Sequence, residues 1–95
     1  MLTIKVNFVG VLHEIFRKKQ AKLRFARSLT VKEVVDKLAE TSLAARRNML
    51  DTESNQIHPA LLILVNGKEI SALGEAETRV KDGDEIVLIS VSHGG

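Results

Sequence analysis

The sequence predicts an α+β domain, a sheet of four to five strands crossed by one long helix. Three observations carry this. An apolar/polar alternation opens the chain, a capped amphipathic segment starts at Val31, and two later runs are apolar on both faces. With 95 residues the chain is read as a single domain, 1–95, with one modest core and a flexible C-terminal tail at 92–95.

The elements follow in order. From Thr3 to Val9 the residues alternate, so Leu2, Ile4, Val6 and Phe8 share one strand face and Thr3, Lys5 and Asn7 the other. Gly10 breaks the run, and Val11 to Phe16 reads as a helical turn burying Leu12, Ile15 and Phe16. Ala21 to Ala26 is a second short strand with Leu23 and Phe25 as its apolar positions.

Thr30 is an N-cap, and Glu33 three residues later completes a capping box. Val31, Val34, Val35, Leu38 and Ala39 form one stripe, which predicts a helix from Val31 to Ala44 or Ala45. Arg46 to His58 reads as irregular, with Met49 and Leu50 tucked back onto the core. Pro59 marks a strand entrance, because proline cannot serve a central ladder. Leu61 to Val65 is a central strand, apolar throughout. Asn66-Gly67 turns the chain into a brief Lys68–Ile70 strand. Leu73 to Thr78 reads as a loop, Lys81 to Asp84 as a turn, and Glu85 to Val91 as the last strand, again apolar on both faces.

One helix covers one face of a sheet. Val9, Val87, Ile89 and part of Leu61–Val65 then make the other face partly apolar, which suggests a partner-binding surface. Shielding by neighbouring loops is the plainer alternative.

Composition narrows the function classes. Apolar residues are 44% and charged residues 27% of the chain, both ordinary for a globular domain. There is no cysteine, hence no disulfide, thiolate metal site or thiol nucleophile. No signal-peptide core or membrane-length apolar run is present, so the expectation is a cytoplasmic protein with no membrane partner. The net charge of +2 clusters at Arg17-Lys18-Lys19, Lys22, Arg24, Arg27 and Arg46-Arg47. With three Phe and no Tyr or Trp to stack on bases, a solvated face or an acidic protein partner fits better than nucleic acid. His13, His58 and His93 lack metal-ligand spacing, so no metal is expected. Ser90 and Ser92 beside His93 have no nucleophile-elbow signature, which argues against a hydrolase. His13 reads as a surface group and His58 as a loop residue.

The sequence closes on Ser92-His93-Gly94-Gly95. Extended, the residues from Ser90 onward reach about 20 Å, enough to enter another protein's active site. Glycine lacks Cβ, so Gly94-Gly95 can thread a narrow channel. The plainer reading is a tail without a task.

Taken together, Ile4–Phe8, Gly10–Ile15, Thr30–Val35, Leu64–Lys68, Val80–Ile86 and Gly94-Gly95, in this order and at this length, resemble the MoaD/ThiS family of ubiquitin-like sulfur carriers. The likeness spans essentially the whole chain and is greatest to small subunits of molybdopterin synthase. It implies a ubiquitin-like β-grasp with a mixed sheet, its first and last strands parallel at the centre. Val34, Val35 and Leu38 should then pack on Ile4, Val6, Leu64 and Leu88. Two segments depart from the small-subunit pattern. Leu88 to His93 has no proline and carries an inserted histidine, and the Arg46–Pro59 connection is long.

The resemblance implies a carrier protein rather than an enzyme. A terminal carboxyl, with a reference pKa near 3.5, is ionised at neutral pH and is a poor acyl donor. A ubiquitin-activating-type adenylyltransferase would therefore adenylate Gly95. The partner uses the ATP, because this chain has no phosphate-binding glycine loop and binds no cofactor of its own. Sulfur would then replace AMP to give a thiocarboxylate, with a molybdopterin synthase large subunit as the next partner. Two alternatives share the fold: a protein modifier joined through Gly95 to target-protein lysines, and a plain β-grasp interaction module.

Overall fold

A computed structural model describes residues 1–70 and 75–91. The order is β1 (Leu2–Gly10), α1 (Val11–Phe16), β2 (Gln20–Phe25), α2 (Val31–Ala39), α3 (Leu43–Met49), β3 (Leu61–Val65), β4 (Lys68–Ile70) and β5 (Glu85–Ser90). The five strands form one sheet in the order β2-β1-β5-β3-β4. β1 and β5 pair in parallel, and every other pair is antiparallel. The expected mixed sheet, with first and last strands adjacent at its centre, is therefore present.

β1 buries Leu2, Ile4, Val6 and Phe8, as its alternation requires. In register with them on the same face lie Leu23 and Phe25 of β2, Ile86 and Leu88 of β5, and Ile63 of β3. This face carries the core, together with the buried stripe of α2. Phe8 stacks on Phe16 of α1 with ring centroids 4.2 Å apart. Gly10 turns β1 into α1 at a φ of 71°, and a Cβ there would lie 3.3 Å from the Ser90 carbonyl oxygen. The site demands glycine twice over, for its dihedral and for the close approach.

The capping box is complete. Thr30 Oγ1 accepts from the Glu33 N–H at 3.1 Å, and Glu33 Oε1 accepts from the Thr30 N–H at 3.0 Å. The single long helix is corrected to two. α2 stops at Ala39, and α3 restarts at Leu43. The cause is the Thr41-Ser42 pair. Thr41 Oγ1 donates to the Leu38 carbonyl at 2.7 Å, an oxygen that a continuing helix would use. Ser42 is extended, and its hydroxyl caps the new helix by accepting from the Ala45 N–H at 3.0 Å. The change of direction returns Ala45 and Met49 to the core. Met49 and Leu50 are buried as expected, although Arg46 to Met49 is helical rather than irregular.

One expected contact is also corrected. Leu64 pairs with Val87 on the opposite sheet face, so the β3 residues beneath the helices are Leu61 and Ile63. The Asn66-Gly67 turn is left-handed at both residues, with φ of 52° and 84°, as a two-residue hairpin requires. Pro59 lies two residues before β3. Among the described residues, no helix is long and apolar enough to cross a membrane, and no cluster of His, Asp and Glu could hold a metal ion.

Candidate functional site

The expected working residues Ser92, His93, Gly94 and Gly95 lie outside the described residues. What the structure does place is the point from which they depart. β5 runs between β1 and β3 and delivers the chain to Val91. Ser90 is level with Gly10 on one side and Leu61 on the other. It is buried, and among the described residues its hydroxyl has no hydrogen-bond partner. Val91 is 45% exposed, and its N–H donates to the Ala60 carbonyl at 2.9 Å. That is the last described backbone bond before the tail.

Ala60 belongs to a tight turn with His58 and Pro59. The Leu61 N–H donates to the His58 carbonyl at 3.0 Å, and the Ala60 N–H donates to the His58 ring at Nδ1, 2.9 Å away. A backbone N–H is always the donor, so Nδ1 is the acceptor of this bond. The His58 N–H donates to the Met49 carbonyl at the end of α3. His58 is a loop residue, as expected, and it stands beside the tail root. Nothing local in the sequence signals this, because the link to Val91 runs through strand pairing. His13 is on the surface of α1, as expected.

The sheet face away from the helices carries Val9, Val87 and Ile89, the residues expected to meet a partner. Val87 lies level with Leu64, and Ile89 lies between Val9 and Leu62. The expected Val9, Val87 and Ile89 are thus brought together, and Leu62 and Leu64 are the members that the apolar run left unspecified. Val9 is 41% exposed; the other four are half-buried. Among the described residues, no helix covers them. The block follows β5 toward Val91, so the apolar strip and the tail root are continuous.

On the β2 side the face turns polar and basic. Asn7 Nδ2 donates to Glu85 Oε2 at 3.0 Å, and Asn7 Oδ1 accepts from Gln20 Nε2 at 2.8 Å. Lys5 sits directly opposite Lys22, and Thr3 opposite Arg24. On the helical side, Glu33 is held below the ordinary carboxylate value, chiefly by the Thr30 backbone N–H and further by Arg27 at 3.3 Å. The described residues thus form a scaffold that leads the chain out at Val91, with an apolar strip running to that point.

A helix-covered mixed sheet with parallel first and last strands, whose central strand feeds the C-terminal segment, defines a ubiquitin-like β-grasp protein. The model of the Urm1 (Ubiquitin related modifier) family matches residues 3–95, and the chain belongs to that family. A ubiquitin-related modifier 1 from Laccaria bicolor is 45% identical over 53 residues, which are 56% of this chain and 43% of that protein. Ubiquitin-related modifier 1 from Saccharomyces cerevisiae is 29% identical over 99 residues, spanning 100% of both chains. The solution structure of small archaeal modifier protein 1 from Methanosarcina acetivorans has a TM-score of 0.77 at 27% identity, covering 100% of this chain and 98% of that one.

The expected placement nearest the molybdopterin synthase small subunits is corrected accordingly. A putative molybdopterin converting factor subunit 1 from Pyrococcus furiosus has a TM-score of 0.72 over 95% of this chain and 98% of its own, but is only 14% identical. It shares the fold; the family is Urm1.

Proposed function

We propose that this chain is a ubiquitin-like modifier and sulfur carrier that works through the carboxylate of Gly95. The observation that carries the reading is the Urm1 family match, which extends through Gly94 and Gly95. The fold supports it by leading the chain out at Val91 beside an uncovered apolar strip.

The chemistry belongs to an activating enzyme of the ubiquitin-activating type. The Gly95 carboxylate attacks the α-phosphate of ATP, and pyrophosphate leaves. The resulting acyl-adenylate then meets one of two nucleophiles. A lysine amine on a target protein displaces AMP and forms an isopeptide bond. A sulfur nucleophile displaces AMP and leaves a thiocarboxylate. Val9, Val87 and Ile89 dock on the activating enzyme while the tail enters its active site. Delivery of the sulfur into molybdopterin rests on a likeness of fold alone and is not adopted.

The test is ATP–pyrophosphate exchange with the cognate activating enzyme. Deleting Gly95 shifts the carboxylate by roughly 3 Å. A displacement of about 1 Å already costs on the order of a hundredfold in rate. Exchange is expected to vanish while the melting temperature stays the same. Undiminished exchange would overturn the reading. The intact mass of the protein recovered from its own cells separates the two branches: one sulfur-for-oxygen exchange marks a carrier, and branched adducts mark a modifier.

A further inference from the structure

We infer that His58 is a positioning residue for the reacting terminus: its ring locks the turn that holds the root of the tail. The inference rests on the reading of Gly95 as the working end. Only three residues separate Val91 from Gly95, so the direction in which the chain leaves Val91 governs where the carboxylate arrives.

The geometry has three linked parts. The peptide group between Ala60 and Leu61 is gripped from both sides. Its N–H donates to the His58 carbonyl at 3.0 Å, and its carbonyl accepts from the Val91 N–H at 2.9 Å. The turn itself is closed by the ring. Pro59 has no N–H, so the first donor after His58 is that of Ala60, and it goes to His58 Nδ1 at 2.9 Å. The His58 N–H is fastened to the Met49 carbonyl, which ties the turn to the end of α3. The half-buried ring lies in a surface hollow lined by Arg47, Leu50, Asp51 and Thr52.

Asn, Asp or Ser ordinarily fills this role at the first position of a turn with proline second, the side chain accepting from the N–H two residues on. Histidine does it here. Without an acceptor, the half-buried Ala60 N–H loses its partner, and the turn is free to open. The Ala60 carbonyl then no longer defines one position for Val91. The core does not depend on this turn, since the β1–β5 ladder and the α2 stripe lie elsewhere.

The experiment uses the full chain and its cognate activating enzyme, with His58→Ala, His58→Asn and the Gly95 deletion. In His58→Ala, the amides of Ala60 and Val91 are expected to exchange with solvent about tenfold faster, while those of Val6 and Leu88 keep their protection. Pyrophosphate exchange should show kcat lowered by tenfold or more with KM unchanged, because the apolar docking face is intact. His58→Asn should restore both readouts. Wild-type Val91 exchange or wild-type kcat in His58→Ala overturns the inference, and so does failure of asparagine to rescue. If the Gly95 deletion is inactive and His58→Ala is fully active, this inference alone falls. If the Gly95 deletion remains active, the reading beneath it falls as well.

Discussion

Asn66 and Glu85 exchange a pair of hydrogen bonds. The Asn66 N–H donates to the Glu85 carbonyl at 2.8 Å, and the Glu85 N–H donates to Asn66 Oδ1 at 2.9 Å. Asn66 Nδ2 also reaches Asp84 Oδ1 at 2.9 Å. The β3–β4 turn is thereby stapled to the start of β5. Asn66 holds a left-handed φ of 52°, which asparagine tolerates and alanine does not. Asn66→Ala is expected to cost about 1–3 kcal/mol in urea unfolding. Asn66→Gly should cost less, since it keeps the dihedral and loses only the side-chain bonds. Equal stability of the alanine variant and wild type would show that water replaces the staple.

Leu38 and Leu43 make a matched pair across the break between α2 and α3. Leu38 is 6% exposed and Leu43 is 61% exposed. Leu38→Ala should cost roughly 2–5 kcal/mol, the range for emptying a buried leucine site. Leu43→Ala should change stability by less than about 0.5 kcal/mol. Similar costs for the two would contradict the break at Thr41-Ser42.

Glu33 sets an acid dependence. Its native carboxyl titrates below the unfolded value, so in the acid range the folded state binds fewer protons than the unfolded state. The contribution is complete above the unfolded carboxylate value and is lost as pH falls through the lowered native one. Glu33→Gln retains an oxygen for the Thr30 N–H but carries no charge. Melting temperatures measured from about pH 3 to 7 should therefore fall less steeply with acid in this variant. Parallel curves would exclude Glu33 as a source of the slope.

The apolar strip should act on binding, not on the chemical step. Val87→Asp places a charge among Leu64, Val9 and Ile89 on a face that no helix covers. The variant is expected to fold and to raise the KM for the activating enzyme by about tenfold or more, with little change in kcat. Unaltered KM would move the interface elsewhere on the molecule.

Most of the architecture was legible because it is local. The alternation through Val9, the Thr30–Glu33 box and the Asn66-Gly67 turn each state their conformation within a few residues. The break between α2 and α3 was not legible. Leu43, Ala44 and Ala45 are good helix formers, and the hydroxyls of Thr41 and Ser42 act only when they find backbone partners. Leu64 was misplaced for another reason. In a run such as Leu61–Val65, every residue is apolar, and register with β5 alone decides which ones face the helices. Of the candidate site, the neighbouring of Val9, Val87 and Ile89 on one face was legible from their alternation. The position of His58 was not, since it depends on pairing between distant segments.

The parallel match of Lys5 with Glu85 has a temporal meaning as well. β1 emerges first from a ribosome, yet its central neighbour is the last strand to appear. β3 waits for the same strand on its other side. A chain interrupted before Glu85 has two halves of a sheet with no middle and a core that cannot close. Synthesis must run through β5 before the domain can form, so an interrupted chain is exposed to proteolysis as an open one.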